Sequence, residues 1–138
     1  MLGDLWSFQG RFRTLHLTWF AFFLTFVVWF NLAPLATTVK ADLGLDIGQI
    51  RTVAICNVAL TIPARVLIGM LLDKFGPRIT YSAILVYSAI PCLLFASAQD
   101  FNQLVVARLL LSIVGAGFVI GIRMVAEWFP PKEIGLAE

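Results

Sequence analysis

The stretch TIPARVLIGMLLDKFGPR, residues 61–78, starts as an apolar run and ends in the charged cluster Asp73, Lys74 and Arg78. A run that turns abruptly wet reads as a helix leaving a bilayer. Extended toward the N-terminus it becomes an apolar segment over about residues 49–72, long enough to span, since a membrane helix takes roughly 20 residues. Three more runs of this kind cover residues 15–39, 79–98 and 101–128. The links between them, KADLGLDIG, DKFGPR and QD, are short. Short links force consecutive helices to lie side by side and antiparallel.

Composition agrees. Hydrophobic residues make up 60% of the chain, charged residues only 13%, and there are 12 phenylalanines. A water-soluble domain of this length would need more polar surface to cover itself. The expected class is an all-α integral membrane protein with four transmembrane helices. A tail over residues 1–14 should precede them and a loop should begin over 129–138. The first apolar run is too long for a signal-peptide core. The net charge of +2 comes from scattered basic residues mostly at segment ends and is no sign of nucleic acid, which is not expected as a partner; the long apolar runs make the lipid bilayer the expected one. Cys56 and Cys92 lie in apolar runs and read as small buried residues; with one histidine in the chain, no metal site or cofactor is expected. No nucleophile, metal-protease or phosphate-loop motif occurs, so the chain is not read as an enzyme.

Basic residues set the orientation. Arg11, Arg13, Lys74, Arg78 and Lys132 share one side if there are four crossings, while Lys40 and Arg51 on the other are accompanied by Asp42, Asp46 and Asp100. Both termini should then be cytoplasmic, with Trp6 and Trp128 near that interface.

Within this frame Arg65 is the anomaly. An ionisable side chain at bilayer depth costs about 2.5–3.5 kcal/mol on insertion scales, so it should face a bundle interior or a wet cavity. Residues four apart on a helix drift by about 40°. Asn57, Thr61 and Arg65 therefore form one stripe, an amide, a hydroxyl and a guanidinium with no acid among them. Such a stripe suits a planar anion, because arginine offers a fork of donors and a permanent charge. The structural alternative is that Arg65 pairs with a carboxylate on another helix or snorkels, although its depth of more than two turns from Asp73 argues against simple snorkelling. Arg108, Ser112, Gly115 and Val119 make a second stripe in the fourth run. Gly117 and Gly121, a G-x-x-x-G, favour close helix packing. Arg123 and Glu127 have the spacing of an i,i+4 ion pair. Trp19, Phe23, Phe26 and Phe30 form an aromatic arc on the first run, a packing or lipid face that could also line a cavity. Asn31 with Pro34, and Pro63, should interrupt the first and second helices.

The segment GMLLDKFGPR resembles the G-x-L-x-D-[RK]-x-G-x-[RK] loop of the major facilitator superfamily, carried by Gly69, Leu71, Asp73, Lys74, Gly76 and Arg78. Its place after the second span also fits that superfamily, in which the motif is a gating loop between halves. Arg108 resembles the arginine opening the fourth-helix motif, although Leu111 and Ser112 stand where glutamine and glycine often follow. FNLAPL (30–35), IPARVLIGMLLDKFGPR (62–78) and GAGFVIGIRMVAEWFPPKEIGLAE (115–138) are similar to the nitrate/nitrite porter family. The resemblance implies a secondary transporter of the cytoplasmic membrane working by alternating access, with nitrate or nitrite as its partner. It implies Arg65 as the anion ligand, with Phe30 or Phe26 flanking the flat ion. It also implies two bundles of six helices, so the chain is expected to be the N-terminal part of a porter, cut before a fifth helix, whose other partner is a C-terminal half. Another small anion or organic acid as cargo, or a four-helix interaction subunit without transport, are the alternatives.

Overall fold

The computed structural model describes residues 7–137, all helix and short connection. Four apolar helical spans run over Gly10–Asp42, Ile47–Phe75, Pro77–Ala96 and Phe101–Trp128. Trp6 lies outside the described residues. The first two spans overrun their apolar runs, the third begins and ends two residues before its run, and the fourth coincides with it; several ends are set by capping chemistry. Asp46 Oδ1 accepts the Gln49 N–H at 2.7 Å while the Asp46 N–H donates to Gln49 Oε1 at 3.0 Å, a reciprocal box that starts the second span. Asp100 Oδ1 accepts the Gln103 N–H at 2.8 Å and starts the fourth. Gly76, at φ 78°, ends the second span, and Pro77 opens the third at the first helical position.

Three of the four spans are broken. The first consists of α1 (Gly10–Trp29) and α2 (Leu32–Asp42), with Pro34 in the first turn of α2, where no N–H is needed. The second consists of α3 (Ile47–Ala59) and α4 (Thr61–Phe75), with Pro63 in the first turn of α4. The third is a single helix, α5 (Pro77–Ala96). The fourth was read as continuous, but a 3-10 turn over Ile113–Ala116 separates α6 (Phe101–Ser112) from α7 (Gly117–Trp128). A short helix, α8 (Pro131–Ala137), follows.

The fourth span is the axis of the bundle. Leu104, Ala107, Leu111, Val114 and Ile120 are all but inaccessible, and α6 and α7 touch each of the other spans. At the end holding the 43–46 and 97–100 links, Leu32, Leu45, Val53 and Leu104 form one core. Ala64, Leu72, Tyr81, Ile84, Ala116, Ile120 and Met124 form a second. Phe12, Leu15, Val125 and Phe129 form a third, against which α8 packs. Arg11 Nη1 lies 2.8 Å from Glu133 Oε2 and ties α1 to α8. Large apolar side chains such as Ile62 (75% exposed), Val86 (74%) and Leu93 (71%) cover the outside, as a surface solvated by lipid requires. Cys56 and Cys92, expected to be buried, are free and only half-buried.

Candidate functional site

The helix breaks meet in a polar layer around the fourth span. Arg108 lies fully buried there, with no carboxylate paired to it among the described residues. Its Nη2–H donates to Asn31 Oδ1 at 2.7 Å and its Nη1–H to Asn57 Oδ1 at 3.1 Å, with a longer approach of 3.5 Å to the Trp29 carbonyl. The guanidinium carbon stands 4.4 Å from the centroid of the Phe95 ring. Neutral acceptors and a ring face thus solvate the charge in place of water. Trp29 Nε1–H in turn donates to the Asn57 carbonyl at 2.8 Å.

One helical turn away, Thr61 Oγ1 donates to the Ser112 carbonyl at 2.8 Å and the Leu60 N–H donates to Ser112 Oγ at 3.0 Å. The expected stripe of Asn57, Thr61 and Arg65 therefore divides. Asn57 and Thr61 are buried and turned to the fourth span, whereas Arg65 is exposed on the side of the bundle. The drift of about 40° per four residues accumulates to about 80° between Asn57 and Arg65, enough to pass from the buried to the open face.

Arg65 has an aromatic neighbour that the sequence reading did not single out. Its guanidinium carbon lies 5.9 Å from the Phe118 ring centroid, within cation–π range. Phe118, at 43% exposure, shares the open face. From it an aromatic row continues along α1: Phe118 to Phe22 at 5.9 Å, Phe22 to Phe26 at 4.6 Å, Phe26 to Phe30 at 5.5 Å between centroids. Phe26 and Phe30 are thus connected to Arg65 through Phe22 and Phe118. Trp19 and Phe23 form a separate exposed pair. The available signal for Phe118 was its place between Gly117 and Gly121, whose bare surfaces let α1 approach.

Gly117 and Gly121 face α1 and α5: a Cβ at Gly117 would meet Thr25 at 3.3 Å and one at Gly121 would meet Phe22 at 3.7 Å. The tightest approach is at Gly115, where a Cβ would come within 2.7 Å of the Trp29 ring. In the loop motif, Gly69 has open space around it, and Asp73, Lys74 and Arg78 are exposed. Among the described residues the ion pairs are Arg11–Glu133 and Arg123–Glu127, so none engages Asp73, Lys74 or Arg78. Arg123 Nε lies 3.1 Å from Glu127 Oε1, the pair expected from their spacing. Arg78 and Arg13 flank an open cleft of about 390 Å³ between α1, α5 and α7. Among the described residues there is no group of three or more His, Cys, Asp or Glu placed to hold a metal.

Comparison with known proteins places this bundle. The chain is 70% identical, over all 138 residues, to the nitrate/nitrite transporter NrtP of Picosynechococcus, and covers 26% of that protein. It is 67% identical over its full length to NrtP of Nostoc punctiforme, covering 28% of it. A probable nitrate/nitrite antiporter, NarK1 of Thermus thermophilus, is 32% identical over 130 residues, 92% of this chain and 29% of the relative. The chain therefore spans about a quarter of the length of the curated relatives it matches. No solved structure matches it. The family model described as Major Facilitator Superfamily matches residues 18–137, from within α1 to the end of α8, and on that match the chain, a multi-pass membrane protein, belongs to the Major Facilitator Superfamily.

Proposed function

We propose that the chain forms the N-terminal part of a secondary transporter that carries nitrate or nitrite across the cytoplasmic membrane by alternating access. Arg65 is the anion ligand contributed by this part, and Phe118 covers one face of the flat ion. The observation that carries this reading is the pairing on the open face: a guanidinium well inside an apolar span, with no carboxylate paired to it among the described residues, standing over an exposed aromatic ring. An arginine serving only the fold would be spent on internal acceptors, as Arg108 is. The names of the 70% and 67% identical relatives supply the cargo. Asn57 and Thr61 act from behind, holding the second span against the fourth. Gly69, Asp73, Lys74, Gly76 and Arg78 act as a gating loop toward a C-terminal half, their charged side chains forming no ion pair among the described residues.

The direct test joins residues 1–138 to the rest of the Picosynechococcus relative and measures uptake in cells lacking other nitrate transport. Saturable nitrate uptake, competed by nitrite and not by lactate, is expected, and none is expected from residues 1–138 alone. Competition by lactate in preference to nitrite would move the reading to organic acids.

The proposed orientation follows the basic residues, with both termini and the DKFGPR loop cytoplasmic. Single cysteines at Asp42 or Asp100 should then react with an impermeant maleimide added outside intact cells, and one at Gly76 should not. Outside labelling at Gly76 reverses the orientation.

A further inference from the structure

We infer that Ser112 is a positioning residue: it caps the break in the second span and so fixes the register in which Arg65 stands over Phe118. This rests on the anion-site reading above. Pro63 has no N–H, so the ladder of the second span is interrupted where α3 gives way to α4, and the Leu60 N–H there turns to an acceptor on the fourth span. At that point Ser112 receives two bonds, its Oγ from the Leu60 N–H at 3.0 Å and its carbonyl from Thr61 Oγ1 at 2.8 Å. Ser112 is completely buried, so water cannot substitute for either bond. Gly115 keeps the approach open: a Cβ there would stand 3.1 Å from Thr61 Cγ2 as well as against Trp29.

The clamp sits between the two site residues. Arg65 lies one helical turn beyond Thr61 on α4, and Phe118 lies six positions beyond Ser112, across the 3-10 turn. Both are placed from the same pair of bonds. A slip of one residue in α4 rotates Arg65 by about 100°, off the ring.

The test uses the transporter completed with the rest of the Picosynechococcus relative. Ser112→Ala removes the hydroxyl acceptor; Thr61→Val removes the donor to the Ser112 carbonyl at nearly constant shape; Thr61→Ser restores it. Spin labels at exposed Val66 on α4 and Ile122 on α7 report the register independently of transport. Ser112→Ala and Thr61→Val should shift or broaden the interspin distance and raise the nitrate KM about five- to tenfold with kcat within about twofold. Thr61→Ser should behave as the parent. Combined with Arg65→Lys, neither should raise KM further. An unchanged interspin distance in both variants overturns the inference, whatever uptake does. A changed distance with an unchanged KM overturns it too, provided Arg65→Lys is itself impaired. If Arg65→Lys transports normally while the distance shifts, the clamp stands as a register device and the anion-site reading fails instead. Should Ser112→Ala fail to accumulate, Thr61→Val decides alone.

Discussion

Arg65→Lys, in the completed transporter, should raise the nitrate KM by roughly ten- to a hundredfold while the protein accumulates and inserts normally. An ammonium keeps the charge but loses the planar fork, and with it one of two parallel bonds to an oxyanion. One charge-assisted bond is worth about 1.5–3 kcal/mol, which sets the range. Insertion should survive because Arg65 is exposed and its close neighbour within the chain is the Phe118 ring, which lysine can still approach. Arg123→Lys is the matched control. Arg123 is an arginine of the fourth span that is likewise in a close contact, but its partner is Glu127 on the same helix, and both side chains are substantially exposed, at 55% and 42%. Exposed pairs of this kind contribute little, so the variant should transport almost as the parent does. Uptake by Arg65→Lys at the parental KM, or its loss only through failure to accumulate, would make Arg65 a structural arginine.

The four spans and the loop at Gly76 were legible because they rest on strong local signals: apolar length, a glycine at positive φ and a proline at the first helical position. Arg65 was legible for a similar reason, since a lone cation in an apolar run has few explanations. Its neighbours were not. A stripe drawn at four-residue spacing places Asn57, Thr61 and Arg65 together on an ideal helix, but which part of the stripe is buried depends on how the second span packs on the fourth. Here Ser112 and Arg108 hold the Thr61 and Asn57 side of the helix, and Arg65 is left outside. Phe118 was hidden for the converse reason. Its partners come from α4 and α1, far away in sequence, and on its own helix it is one apolar residue among many. The aromatic arc of the first span was visible, yet only Phe26 and Phe30 lie on the row that leads to Arg65; Trp19 and Phe23 pair elsewhere.

Arg108 should respond in the opposite way to Arg65. The bundle holds it as a buried cation on neutral acceptors, and three broken or irregular helices converge on it. Arg108→Ala leaves the buried Asn57 amide oxygen and the half-buried Asn31 one without this donor, and opens a void against Phe95. A stranded buried acceptor costs about 1–3 kcal/mol and the void adds to it, so a loss of roughly 2–4 kcal/mol is expected. That is a large part of a membrane protein's margin if it resembles the usual 5–15 kcal/mol. The measurable result is a clear fall in the thermal midpoint of the detergent-purified transporter and in its steady-state amount. Arg108→Lys should fall less, because an ammonium can still reach one of the two asparagines, though not both at the fork's spacing. Asn31→Leu offers the reciprocal check. It removes an acceptor from the guanidinium, whose Nε already lacks a partner, so it too should lower the midpoint, and combined with Arg108→Ala it should cost less than the two effects added. If Arg108→Ala keeps the parental midpoint and loses only nitrate affinity, the buried arginine serves the anion directly and the division of labour between Arg108 and Arg65 is reversed.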